Sequence, residues 1–221
     1  MTPMKEDYLK IIFELGGASK LVSNKQIALS LDIAAGSVTE MVNKMVEEKL
    51  VTHKPYSGVQ LTKKGTGYAE ELVRKHRIWE CFLFYSLKFN LPDIHDEAEK
   101  LEHDTTNEMI DHLDDFLGNP ERCPHGGIIP DRFGHYKKDH DKLLTDAKDD
   151  EVVVVNRFID NHDLLTLLGD IKLDIGDRLK IVSHDPFEGS VMVQNLTDKK
   201  PLTIGYKTAH YVFVKSDDEQ V

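Results

Sequence analysis

The chain has little sulfur and no long apolar stretch. Two cysteines among 221 residues, Cys81 and Cys123, cannot build a disulfide framework, and they fit a reducing compartment. No apolar run approaches the roughly 18 residues of a membrane helix, so no membrane partner is expected. The N-terminal MTPMKEDYLK lacks the basic-then-apolar layout of a secretory leader. Internal repeats and low-complexity segments are missing too. These absences point to a folded cytoplasmic protein.

Net charge is -11, which argues against nucleic acid until its distribution is read. Residues 1–77 hold 12 Lys and Arg against 9 Asp and Glu, a net of +3. Residues 78–221 hold 16 against 30, a net of -14. A mildly basic head thus precedes a strongly acidic, His-containing body, which suits cations better than phosphates.

The head follows a recognisable order. Tyr8, Ile11, Ile12 and Leu15 recur at helical spacing, and Gly16-Gly17 ends that helix. Ser23 or Asn24 caps a short helix through Leu31. Residues 32–36 form a turn, and Val38, Met41, Val42, Met45 and Val46 stripe a third helix. Two β-like runs around Pro55-Tyr56-Ser57-Gly58 read as a hairpin. Helix, short helix, turn, helix, hairpin is the order of a winged helix-turn-helix. Its second helix would present Gly36, Ser37, Thr39, Glu40, Asn43 and Lys44 to base edges and phosphates. Lys25, Lys54, Lys63 and Lys64 are spaced to neutralise the backbone. A protein-interaction domain can use the same unit.

Two long amphipathic helices follow, from about Thr62 to Leu87 and from about Asp93 to Leu117, with Pro92 between them. Helices this apolar need a partner surface, as in a dimer. Residues 118–150 are loop-rich, and 151–215 carry short β-like runs with one short helix near 163–169. The expected fold is mainly α with a small C-terminal β domain. The expected domains are 1–73, 74–145 and 150–217.

Metal-ligand residues concentrate in the middle. Glu99, Glu102 and His103 fall at i, i+3 and i+4, on one helical face. His76 and Glu80, at i and i+4, offer a second pair, and Asp7 could complete a shell. Two carboxylates and an imidazole suit a borderline-hard divalent ion. A solvated charged face would carry the same residues. Cys123-Pro-His125-Gly-Gly places a thiol and an imidazole in a tight loop, fit either for one ion or for a buried Cys beside a loop His. Cys81 reads as core. A metalloenzyme could use such donors, but no nucleophile motif accompanies them and the helix-turn-helix would be left unexplained.

MTPMKEDYLKIIFEL, SVTEMVNKMVEEKLV, RKHRIWE, HDEAEKLEH and CPHGG together resemble the diphtheria-toxin-repressor family, above all its manganese-responsive members. The resemblance covers nearly the whole chain. It implies a winged helix, a helical dimerisation domain and an SH3-like C-terminal barrel. It implies one metal site of Asp7, His76, Glu99, Glu102 and His103, and another of Glu80, Cys123, His125 and Asp160. It further implies a homodimer on double-stranded operator DNA, with no small-molecule substrate. Iron-responsive members bring a Cys to the dimerisation helix. This chain has Glu102 in that place, and a carboxylate there favours Mn²⁺ over Fe²⁺. Lys10 stands where a compact branch with a binuclear centre has Glu, so two separate sites are expected.

Overall fold

The computed structural model describes residues 1–135, 137 and 140–217. Two compact units separate. One comprises Met1–Trp79, Lys100–Phe116 and Ile129–Tyr136, the other Glu80–Glu99, Leu117–Ile128 and Lys137–Val221. No helix among the described residues is long and apolar enough to cross a membrane.

The first unit opens with α1 (Pro3–Glu14), whose leading Pro sits where an N–H would have no helical acceptor. Tyr8, Leu9, Ile12 and Phe13 form its buried face. Helix α2 (Asn24–Ser30) starts on a reciprocal cap: Gln26 N donates to Ser23 Oγ at 3.2 Å, and Ser23 N donates to Gln26 Oε1 at 3.0 Å. Helix α3 (Ala35–Glu47) turns Val38, Val42 and Met45 inward. Strands β1 (Val51–Lys54) and β2 (Gly58–Leu61) pair antiparallel, with Lys54 opposite Gly58. These elements share one core, to which α4 (Lys63–Cys81) adds Ala69 and Val73. The winged helix-turn-helix read from the sequence is therefore present.

Two helix boundaries differ from expectation. The helix expected through Leu87 keeps α-helical bonding to Cys81 and continues as a π-helical turn, Phe82–Ser86, after which Leu87 N donates to Phe82 O at 3.2 Å. The single helix expected over 93–117 is two, α5 (Ile94–Glu102) and α6 (Asn107–Phe116). Two threonines make the break. Thr105 Oγ1 donates to Leu101 O and accepts from Trp79 Nε1 at 3.0 Å. Thr106 Oγ1 accepts from Met109 N at 3.2 Å and starts α6. Hydroxyls that satisfy backbone groups locally compete with helix continuation.

The second unit carries a six-stranded antiparallel sheet in the order β3-β8-β4-β5-β6-β7. Its strands are β3 (Lys142–Leu143), β4 (Val152–Phe158), β5 (Arg178–His184), β6 (Val191–Asn195), β7 (Lys200–Ile204) and β8 (Val212–Ser216). Val153, Val155, Leu179, Ile181, Val191, Val193, Val212 and Val214 alternate inward to one core. Helix α7 (His162–Asp170) adds Leu164, Leu165 and Leu168, and a one-turn helix α8 (Tyr206–Ala209) adds Ala209.

The Cys123-Pro-His125 loop is pinned to β4. Phe158 N donates to His125 O at 3.1 Å. Gly126 has φ +81°, and a Cβ there would lie 2.3 Å from Asn156 O. Only glycine permits that approach. The loop is thereby fixed beside the end of β4, just ahead of Asp160.

Candidate metal centres and nucleic-acid interface

Metal–oxygen and metal–nitrogen bonds are about 2.0–2.2 Å long, so donors on opposite sides of one ion are separated by about 4.4 Å at most. Among the described residues, donor clusters within each unit approach that size.

In the first unit, Asp7 on α1, Glu102 at the end of α5 and His103 just beyond offer donor atoms that all lie within 4.8 Å of one another. His103 Nε2 lies 3.4 Å from Asp7 Oδ1 and 3.6 Å from Glu102 Oε1, while its Nδ1 lies 2.5 Å from Glu6 Oε2. Glu102 is fully buried. Its carboxylate is held by His76 Nδ1 and, at 2.9 Å, by Lys10 Nζ. Burial pushes its pKa up, but the charges and hydrogen bonds of His76 and Lys10 outweigh burial and hold it at about 2. The group is therefore an anion at neutral pH, as a ligand must be. Glu99 is not part of this cluster. Its Oε1 lies 3.6 Å from His95 Nε2 instead.

In the second unit, Glu80, Cys123 and His125 are all buried and bring donors within 4.8 Å of one another. His125 Nδ1 lies 3.0 Å from Glu80 Oε1 and 3.4 Å from Asp160 Oδ1. Its Nε2 lies 3.3 Å from Leu91 O. Burial pushes the His125 pKa down. The Asp160 and Glu80 carboxylates, with hydrogen bonds to Cys123 and Glu80, outweigh it and carry the value well above the usual imidazole range. His95 joins the cluster through Nδ1, 2.9 Å from Asp160 Oδ2. Glu80, His95 and Asp160 are likewise within 4.8 Å. His95 was absent from the expected ligand set. It begins the HDEAEKLEH run, and its i, i+4 spacing to Glu99 was the available signal. Cys81 is core as expected, its Sγ 3.7 Å from Arg122 O.

A carboxylate–imidazole set in one cluster and a carboxylate–thiol–imidazole set in the other both fit a divalent transition ion.

The residues expected to read DNA lie on the surface of the first unit. Gly36, Ser37, Thr39, Glu40, Asn43 and Lys44 are exposed on α3, and Lys25 and Lys54 are exposed on α2 and β1. Thr39 Oγ1 donates to Ala35 O at 3.2 Å. Glu40 and Lys44 pair at 2.7 Å, which lowers the Glu40 pKa.

Residues 1–59 match the model of the iron dependent repressor N-terminal DNA binding domain, and 62–131 the model of the iron dependent repressor metal binding and dimerisation domain. The chain belongs to the iron-dependent repressor family. Residues 142–216 match the FeoA domain. The HTH-type transcriptional regulator MntR of Oceanobacillus iheyensis is 31% identical over 147 residues, 66% of this chain and 88% of that protein. The solved structure of the manganese regulator SloR has a TM-score of 0.83 at 38% identity, covering 98% of this chain and 100% of that one. The metal-dependent transcriptional regulator MtsR gives 0.85 at 34% identity, with 98% and 100% covered. The repressor is a metal-dependent, DNA-binding transcription regulator rather than an enzyme.

Proposed function

We propose that the chain is a manganese-activated repressor that binds palindromic operator DNA as a homodimer and controls metal-uptake genes. Residues 1–73 would be the DNA-binding domain, 74–145 the metal-binding and dimerisation domain, and 150–217 the SH3-like domain. One site would use Asp7, Glu102 and His103, with His76 against Glu102; Glu99, expected in this set, lies against His95 instead. The other would use Glu80, Cys123, His125 and Asp160.

The carrying observation is the pair of donor clusters in a winged-helix chain, one rich in carboxylate and the other containing a thiol. A bound divalent ion supplies positive charge and fixed coordination angles. The protein's part is to hold donors from separate segments. Asp7 comes from α1 of the winged helix, while Glu102 and His103 come from the end of α5. Glu80 ends α4, His125 sits in the pinned loop, and Asp160 follows β4. An ion that prefers one arrangement of these segments shifts the population toward it, and DNA that prefers the same arrangement tightens metal binding reciprocally.

Mn²⁺ is favoured by the oxygen-rich first cluster. Cys123 supports a second reading, a ferrous-iron sensor of the same family, because thiolate suits softer ions. The test is a duplex selected from a random-sequence pool by the full-length protein with Mn²⁺. Its affinity should rise about tenfold or more with Mn²⁺ over metal-free protein, the typical range of allosteric coupling. A larger effect with Fe²⁺ under anaerobic conditions would favour the iron sensor.

A further inference from the structure

A neutral histidine offers a lone pair on one ring nitrogen only while the other carries the proton. In the first cluster both nitrogens of His103 are spoken for. Nδ1 lies 2.5 Å from Glu6 Oε2, while Nε2 faces Asp7 Oδ1 at 3.4 Å and Glu102 Oε1 at 3.6 Å. Glu6 and Asp7 are consecutive on α1, so one stretch of helix brings a carboxylate to each side of a single ring.

The two carboxylates stand differently. Asp7, Glu102 and His103 bring donors within 4.8 Å of one another without Glu6. The Glu6 side chain has His103 as its one hydrogen-bond or ion-pair partner among the described residues. An ionised carboxylate can only accept, so Glu6 holds the proton on Nδ1 and leaves Nε2 its lone pair. Nε2, Asp7 and Glu102 then turn acceptor atoms toward one another, an arrangement that a cation stabilises. Glu6 and His103 also line a cleft of about 50 Å³ with Tyr68, Glu71 and Lys75. A cleft of that size admits water. Water can donate to a ring nitrogen or accept from it, so by itself it would fix neither the proton nor the ring angle.

We propose that Glu6 is the positioning residue of the first cluster: its carboxylate holds the Nδ1 proton of His103 and turns the Nε2 lone pair toward Asp7 and Glu102. Glu6 acts through His103 and does not itself ligate. The proposal rests on the metal-site reading above. A carboxylate behind a ligating imidazole fixes its tautomer and raises its basicity.

Glu6→Gln and Glu6→Ala in the full-length protein test it. Gln keeps an acceptor for the Nδ1 proton without the charge, and Ala has none. Ring-nitrogen NMR shifts of His103 in the metal-free protein, at a pH where the imidazole is neutral, should place the proton on Nδ1 in the wild type and in Glu6→Gln. Glu6→Ala should show a mixture of both tautomers. Calorimetric titration with Mn²⁺ in a Glu80→Ala background should find binding about tenfold weaker in Glu6→Ala and less than about threefold weaker in Glu6→Gln, the loss expected of an outer-sphere partner and its rescue. An unchanged tautomer in Glu6→Ala would overturn the proposal, as would unchanged Mn²⁺ affinity. So would a Glu6→Gln variant as weak as Glu6→Ala, because Glu6 would then act by charge or as a ligand. If the cluster takes up no Mn²⁺ even with Glu6 present, the metal-site reading itself falls, whatever the tautomers show.

Discussion

Lys10 Nζ lies 2.9 Å from Oε1 of Glu102, so the buried carboxylate of the first cluster already holds a cation supplied by the chain. Glu102 is fully buried and Lys10 half-buried, their side chains 0% and 12% exposed. At such a place a unit charge acts strongly on an incoming ion. Lys10 also stands three residues after Asp7, where a further carboxylate would have invited a second ion.

Removing that ammonium should therefore help metal. Lys10→Met should raise the Mn²⁺ affinity of the Asp7–Glu102–His103 cluster about tenfold or more, since like charges about 4 Å apart repel by several kcal/mol at an effective dielectric of 20. Calorimetric titration in a Glu80→Ala background would report this cluster alone. Unchanged or weaker binding would mean that Lys10 does not oppose the ion.

Glu102 also makes acid stability readable. Its folded pKa, about 2, lies below the ordinary carboxylate value of 4.5. Its stabilising effect is then complete above about pH 4.5 and is lost as pH falls toward 2. Metal-free Glu102→Gln should be about 3 kcal/mol less stable than wild type at pH 7, the cost of breaking a buried pair. Denaturant melts at intervals from pH 7 to pH 3 should show the deficit shrinking below about pH 4.5. A constant deficit would show that the carboxylate's charge is not what stabilises it.

His125 titrates in the opposite sense. Its folded pKa is raised, so its stabilising effect is present below the unfolded value and is lost as pH rises through the folded value. The imidazolium that stabilises the metal-free loop must lose its proton to bind an ion. Mn²⁺ affinity at the Glu80–Cys123–His125 cluster should therefore climb with pH across neutrality, with proton release detected by calorimetry in buffers of different ionisation heat. His125→Ala should bind weakly with a flatter pH profile. An equally steep profile in that variant would assign the proton elsewhere.

Much of this was legible in the sequence. The 3.6-residue spacing of Tyr8, Ile12, Val38, Val42 and Met45 and the hairpin at Pro55–Gly58 sufficed for the winged helix, because these signals are local. The i, i+3, i+4 spacing likewise exposed Glu102 and His103. The rest depended on pairs distant in sequence. Thr105 and Thr106 interrupt a periodic helix because their hydroxyls find nearby backbone groups and the Trp79 indole. His95 meets Asp160 across 65 positions, a tertiary contact between α5 and the segment after β4. Glu99 shared its helix face with Glu102 in projection, yet its carboxylate lies against His95. Lys10 read as a residue that could not ligate, and its ion pair with Glu102 is a tertiary contact that no spacing announces.

The central claim is that the two donor clusters are metal centres acting on DNA binding. The most direct test titrates free Mn²⁺ against the affinity of the selected duplex, for wild type and for Glu80→Ala. Wild-type affinity should rise about tenfold or more with the ion, while Glu80→Ala should remain dimeric and lose most of that gain. Equal DNA affinity with and without Mn²⁺ in the wild type would contradict the account.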